Sequence, residues 1–120
     1  MRSDRDHVVR ALRDIAYHVN LASGFATGFD SRSFGDDPRT VYAVTRCLEI
    51  ISEASRRLPD DLKARHPAIA WKEMAGAGNV YRHDYEDVAA SYVWVVVQDH
   101  LPALSSAIER ELAAFDKKTD

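Results

Sequence analysis

The sequence predicts an all-α protein, an up-and-down helical bundle of four to five helices in a single domain of residues 1–120. Apolar residues recur at helical spacing along most of the chain. Five Gly and four Pro are too few for a turn-rich sandwich or barrel. The hydrophobic fraction of 46% is enough for one core, and chains of this length rarely form two. We expect residues 1–3 and 117–120 to be frayed.

The first predicted helix runs from about Asp4 to about Ala26, and Ser3 or Asp4 can cap it. One face of this helix carries Val8, Leu12, Ile15 and Val19. A loop of sequence GFDSRSFGDD is expected to follow. It ends in Asp37 and Pro38, an N-cap residue followed by proline at the first helical position.

The second predicted helix continues to about Leu58, and its buried face consists of Val41, Val44, Leu48, Ile51 and Leu58. Pro59 stops it, because the residue before a proline avoids helical dihedral angles. The segment PDDLKARHP has room for one or two turns between its prolines. A third helix is expected from about Ala68, with the apolar residues Ile69, Trp71, Met74, Ala75 and Val80.

The last predicted helix begins near Glu86 and reaches about Phe115. Its apolar stripe consists of Val97, Leu101, Leu104, Ile108, Leu112 and Phe115. The run YVWVVV has the β-branched and aromatic composition of a strand, but no other segment offers a strand to pair with it. We therefore predict a helix here, with a kink or break near Asp99 caused by Pro102.

Composition excludes several classes of protein. A net charge of −3 argues against a protein that coats nucleic acid, so any RNA contact needs a local basic patch. The single cysteine, Cys47, cannot close an internal disulfide, and we expect a cytoplasmic location. No apolar stretch is long enough for a membrane span. Glu49 and Glu53 lack the Glu-x-x-His motifs of a di-metal bundle, so no metal or cofactor is expected.

The most informative stretch lies between Trp71 and Val88. It contains four consecutive small residues, 75–78, although each glycine inside a helix costs about 1 kcal/mol relative to alanine. This composition suggests that another backbone comes close. A polar and aromatic cluster follows, made of Asn79, Tyr81, Arg82, His83 and Tyr85. A purely structural alternative is a helix end, where His and Arg interact with the helix dipole and the tyrosines pack.

A second polar stripe lies on the second helix. Its members are spaced at i, i+3, i+7 and i+10: Arg46, Glu49, Glu53 and Arg56. The simplest interpretation is a solvated helix face with ion pairs. The stripe is also a candidate source of positive charge if that helix flanks a site.

The chain resembles the HepT-like proteins of the HEPN superfamily. The resemblance rests on RCLEIISEASRRLPDDLKARHPAIAWKEMAGAGNVYRHDYEDV, followed by VW and DHLPAL. It implies an all-α homodimer that acts as a metal-independent ribonuclease, the toxin of a type VII-like toxin–antitoxin pair with an MntA-type nucleotidyltransferase. The family signature is R-x(4–6)-H, often R-N-x-x-x-H-x-Y, whose arginine and histidine are thought to cleave RNA. The antitoxin attaches AMP to the tyrosine.

The signature matches this sequence in part. Asn79, His83 and Tyr85 match the asparagine, the histidine and the tyrosine, whereas Gly78 stands where the arginine belongs. That arginine would neutralise phosphate, so its loss affects activity and leaves the fold untouched. Arg82 lies four residues after Gly78, on nearly the same face of a continuing helix. We hypothesise that Arg82 replaces the missing arginine. Arg46 and Arg56, on the second predicted helix, are further candidates for phosphate or RNA contacts.

Three hypotheses follow. The first is a dimeric ribonuclease with His83 as acid or base, Asn79 orienting the substrate and Arg82 supplying the charge. The second is a catalytically degenerate dimer that keeps Tyr85 and acts as the binding partner of a nucleotidyltransferase. The third is a bundle whose polar cluster is only structural. Retention of His83 with Asn79 and Tyr85 favours the first, and the Gly78 substitution favours the second.

Overall fold

The computed structural model describes the backbone of residues 2–76 and 86–119, and the side chains of 4–76 and 90–116. Those residues contain helices and turns but no strand, which confirms the all-α prediction. The helices are α1 (Arg2–Ala26), α2 (Ser31–Gly35), α3 (Pro38–Arg56), α4 (Asp60–Ala64), α5 (71–76), α6 (Glu86–Val95), a π-helical turn (Val96–His100) and α7 (Leu101–Thr119). The run YVWVVV is helical, as its periodicity predicts and its local propensity does not.

Three long helices form the core. Helix α1 packs along α3 and also contacts α7, so the apolar stripes of α3 and α7 both face α1. The buried apolar side chains of these helices include Ala11, Leu12, Ile15, Val19 and Ala22 of α1, Val44, Cys47, Leu48, Ile51 and Ala54 of α3, and Leu101, Leu104, Ala107 and Ile108 of α7. The helical stripes predicted from sequence are therefore the core-facing ones, with Leu112 and Phe115 partly buried at the end of α7.

The segment between α1 and α3 contains a short helix, α2, where the sequence predicts only a loop. The Asp30 carboxylate accepts a hydrogen bond from the Ser33 N–H at 2.8 Å, and the Asp30 N–H donates to the Ser33 hydroxyl at 2.9 Å. This reciprocal capping box satisfies two N–H groups at the start of the helix. Phe34 is completely buried, and its ring centroid lies 5.2 Å from that of Trp94. Gly28 in the preceding turn has φ +89°, which favours glycine.

Two predicted boundaries shift. Helix α3 begins after the predicted Asp37 N-cap, whose carboxylate accepts from the Thr40 N–H at 3.4 Å, but it ends at Arg56, two residues before Leu58. Helix α5 begins at 71 rather than near Ala68. The residues between Pro67 and α5 form a turn, which the Ile69 N–H closes by donating to the His66 carbonyl at 3.1 Å.

Pro102 does not break the last helix. The chain continues from α6 into α7 through the π-helical turn Val96–His100, in which the Leu101 N–H donates to the Val96 carbonyl five residues earlier. Pro102 has no N–H to donate to the Gln98 carbonyl, and the wider π-helical turn ends two residues before it. The predicted irregularity near Asp99 is therefore a π-helical turn.

No helix in the described part of the chain is both long enough and apolar enough to cross a membrane.

Candidate functional site

The motif residues Asn79, Arg82, His83 and Tyr85 lie within 77–85, outside the described residues, and their roles stay predictions. Also outside lie Ala77 and Gly78. The structure describes the two elements that flank the motif, α5 before it and α6 after it. It also describes α3, which holds the end of α5. These three helices define the setting of the candidate site.

The carbonyl of Ala75 is held by two donors from α3. The Ser52 hydroxyl donates to it at 2.8 Å, and the Arg56 Nε–H donates to it at 3.0 Å. Ser52 is 1% exposed, so its hydroxyl needs a protein partner, which this carbonyl supplies. Ser52 and Arg56 are four residues apart, which places both on one face of α3. The described end of α5 is thereby tied to α3.

The start of α5 is fixed by the indole of Trp71. Its Nε1–H lies 3.1 Å from the carbonyl oxygen of Lys63 and 3.1 Å from that of His66. These two carbonyls belong to the segment at and after the end of α4, and each also accepts a backbone hydrogen bond, from the His66 N–H at 3.0 Å and from the Ile69 N–H at 3.1 Å respectively. The indole adds a second donor to each carbonyl and packs against the core. Helix α5 is therefore anchored at both of its described ends.

The same segment is joined to α7 by a charged cluster. Arg65 donates to both oxygens of the Glu111 carboxylate, from Nη2 at 2.8 Å and from Nε at 3.1 Å. His66 Nε2 lies 2.6 Å from Glu111 Oε2. Glu111 is 7% exposed, and the hydrogen bond from Arg65, followed by that from His66, holds the pKa of its carboxyl below the ordinary value. The cluster fixes the chain that leads into α5.

The polar stripe of α3 forms a solvated face with ion pairs, as its simplest interpretation predicts. Arg46 Nη1 lies 3.4 Å from Glu49 Oε1, and Arg56 Nη1 lies 3.5 Å from Glu53 Oε2. Arg46 is the more exposed arginine, with 71% of its side chain accessible against 48% for Arg56. Arg46 can thus reach an anion in solvent, while Nε of Arg56 is engaged with Ala75. Their roles in RNA binding stay predictions.

Helix α5 faces α6 and the π-helical turn across a small cavity of about 30 Å³. Its walls are Ala70, Glu73, Met74, Tyr92, Val96 and His100. The volume suffices for one or two water molecules, and the wall includes polar groups from both sides. A Cβ placed on Gly76 would meet no atom within 4 Å. Within the described chain, nothing therefore requires a glycine at the position where the small residues suggested close approach.

The sequence analysis missed Ser52, because a serine in a mostly apolar stripe gives no indication of a partner elsewhere in the chain. Its i, i+4 spacing to Arg56 is visible in the sequence, but this spacing becomes informative only once the segment that packs against α3 is known. Among the described residues there is no group of three or more His, Cys, Asp or Glu side chains arranged to hold a metal ion.

A family model described as "HepT-like: Ribonuclease HepT-like" matches residues 9–111. The chain belongs to the HepT-like ribonuclease family. The match runs from within α1 to within α7 and includes the whole 79–85 motif, so it covers most of the described bundle and the candidate site. The resemblance noted from the sequence is confirmed.

Curated relatives agree with this assignment over nearly their full lengths. The chain is 37% identical over 109 residues to "Probable ribonuclease HepT" of Thermococcus cleftensis, covering 91% of this chain and 96% of the relative. It is 35% identical over 107 residues to "Putative RNase MJ1380" of Methanocaldococcus jannaschii, covering 89% and 97%. It is 30% identical over 107 residues to "Putative RNase MJ0125" of the same organism, covering 89% and 92%. No solved structure matches the chain.

Proposed function

We propose that this HepT-like protein is a metal-independent ribonuclease that cleaves RNA through attack by the 2′-hydroxyl. The observation that carries the proposal is the family match over residues 9–111, which contains the Asn79, His83 and Tyr85 matches to the signature. The names of the relatives, which describe ribonucleases, support the same activity. In this proposal, the protein is the toxin of a type VII-like toxin–antitoxin pair.

The proposed chemistry follows from the residue types. The 2′-oxygen attacks phosphorus, the bond to the 5′-oxygen breaks, and the products are a 2′,3′-cyclic phosphate and a 5′-hydroxyl. One proton leaves the 2′-hydroxyl and one reaches the 5′-oxygen. His83 serves as base or acid, because imidazole titrates near neutral pH. Asn79 orients the substrate. Arg82 stabilises the phosphorane charge, a role worth about 10²–10³ in rate for a preorganised donor.

The direct test is RNA cleavage in EDTA by the wild type, His83→Ala and His7→Ala. His7 is an exposed histidine on α1 and serves as the matched control. We expect cleavage by the wild type and His7→Ala, and none by His83→Ala. Equal cleavage by all three preparations would assign the activity to a contaminant and contradict the proposal.

The second candidate function is a catalytically degenerate dimer that binds a nucleotidyltransferase, and the observation that favours it is Gly78 in place of the signature arginine. Two variants separate the candidates. If Arg82 replaces the arginine, Arg82→Ala loses cleavage and Gly78→Arg adds little. If the wild type is inert and Gly78→Arg gains His83-dependent cleavage, the protein is a degenerate member.

The partner proposals are a homodimer and an MntA-type nucleotidyltransferase that attaches AMP to Tyr85. Light scattering measures the dimer, and a monomer at micromolar concentration would remove any site shared between protomers. Incubation with a nucleotidyltransferase and ATP, followed by mass spectrometry, measures the AMP adduct. Tyr85→Phe is the control, and an adduct that persists in this variant would exclude Tyr85 as the acceptor.

A further inference from the structure

The contact between α3 and Ala75 joins the bundle core to the chain that enters the motif. Ala75 precedes Asn79 by four residues and His83 by eight. Its carbonyl accepts the Ser52 hydroxyl and the Arg56 Nε–H, at 2.8 and 3.0 Å. A carbonyl oxygen has two lone pairs, so both donors can bind at once.

The two donors reach the Ala75 carbonyl from different surroundings, one from the buried core and one from the solvent side. Ser52 is buried in the core-facing stripe of α3, and its own carbonyl accepts the hydroxyl of Ser55 at 2.8 Å. Its hydroxyl cannot turn to solvent for another partner, so losing the Ala75 carbonyl would leave a buried donor unpaired. Arg56 reaches the same carbonyl from the solvent side, and Glu53 orients its guanidinium through Nη1 at 3.5 Å.

We propose that Ser52 and Arg56 are positioning residues. By holding the Ala75 carbonyl, they fix the place from which the chain enters the 79–85 motif. The inference rests on the proposed function for its catalytic consequence, because the group being positioned is His83. Misplacement of a catalytic group by about 1 Å costs up to about 10²-fold in rate.

The chain supplies matched controls for both residues. Ser55 is as buried as Ser52 and lies on the same helix, but its hydroxyl bonds to a carbonyl of α3 itself. Arg57 neighbours Arg56 with similar exposure, 43% against 48%, and pairs with Asp14 of α1 at 3.2 Å. Ser52→Ala is compared with Ser55→Ala, and Arg56→Gln with Arg57→Gln, so each pair removes the same chemical group.

The experiment combines steady-state RNA cleavage with hydrogen exchange of backbone amides. For Ser52→Ala and Arg56→Gln we expect kcat to fall about 10-fold with KM within about twofold, because positioning affects the reacting geometry. Exchange should accelerate in peptides that cover residues 76–88 and stay unchanged in α1 and α7. Ser55→Ala and Arg57→Gln should match the wild type in kcat and in the exchange of 76–88. Ser52→Thr, which keeps the hydroxyl, should restore both quantities.

The inference would be overturned if amide hydrogen exchange in residues 76–88 were the same in Ser52→Ala and Arg56→Gln as in their matched controls. A rise in KM alone for Arg56→Gln, with exchange unchanged, would do the same and make Arg56 a phosphate contact only. If the wild type cleaves no RNA, the proposed function fails, and the exchange comparison still decides whether the Ala75 anchor positions the motif. If Ser52→Ala does not fold, the exposed Arg56→Gln decides the outcome by the same two readouts.

Discussion

His66 Nε2 lies 2.6 Å from Glu111 Oε2, although the two residues are 45 positions apart. Arg65 holds the pKa of the Glu111 carboxyl below its ordinary value, so the carboxylate accepts this hydrogen bond and the ring donates it from Nε2. Together with the two hydrogen bonds from Arg65, this contact joins the segment before α5 to α7. The segment that leads into α5 is thus joined to a nearly buried carboxylate of α7.

Removing the Glu111 charge should destabilise the fold. Glu111→Gln replaces a carboxylate that accepts three hydrogen bonds with an amide whose NH₂ faces donors. We expect the free energy of unfolding in urea at pH 7 to fall by about 1–3 kcal/mol. Glu109→Gln, an exposed substitution on the same helix, should change it by less than about 0.5 kcal/mol. Equal losses in the two variants would mean that the cluster stabilises nothing.

The stabilisation by Glu111 should depend on pH. Its pKa is lowered in the folded protein, chiefly by the hydrogen bond from Arg65, so its contribution is fully present above the ordinary pKa of a glutamate. This stabilisation is lost as the pH falls below about 4 and then through the lowered pKa of Glu111 in the folded protein. The stability difference between the wild type and Glu111→Gln should therefore shrink between pH 7 and pH 3. A difference that stays constant would contradict the assignment.

The short helix α2 should depend on Phe34. Its side chain is fully buried between Phe29 and Trp94, with ring centroids 6.4 and 5.2 Å away. Phe34→Ala should cost about 3–5 kcal/mol in the free energy of unfolding, since it leaves a cavity. Phe25→Ala, at a position 42% exposed on α1, should cost less than about 1 kcal/mol. Similar costs for the two would show that α2 does not close the core.

Arg46 should contribute to RNA binding through charge alone. Its side chain is 71% exposed and pairs only weakly with Glu49. Arg46→Gln should weaken binding of single-stranded RNA and reduce the slope of log K against log salt by about 0.7, the value for one phosphate contact. Arg110→Gln, an exposed substitution on α7, is the control. An unchanged slope in Arg46→Gln would remove Arg46 from the RNA interface.

Cys47 should react slowly in the folded protein. It is 4% exposed, and burial raises the pKa of its thiol, so the reactive thiolate is both rare and covered. Alkylation by iodoacetamide at pH 8 should be on the order of 100-fold slower in buffer than in 8 M urea. Comparable rates would mean that α3 opens readily, against its place in the core.

The long helices were predictable because each buries a continuous stripe, which a 3.6-residue period reveals directly. Helix α2 was not, since five residues are too few to show a period, and its signal is the capping pair Asp30 and Ser33. The Ala75 anchor was also beyond prediction, because a hydrogen bond between distant segments depends on how helices pack. The motif itself was visible only in sequence, through Asn79, His83 and Tyr85.

The central claim is cleavage by the 2′-hydroxyl, and the ends of the products test it most directly. An RNA oligonucleotide is incubated in EDTA with the wild type or with His83→Ala, and the masses of the products are determined by mass spectrometry and compared. We predict fragments ending in a 2′,3′-cyclic phosphate paired with 5′-hydroxyl fragments, formed by the wild type only. Fragments with 5′-phosphate ends, or cleavage of a 2′-O-methylated copy of the oligonucleotide, would contradict the account.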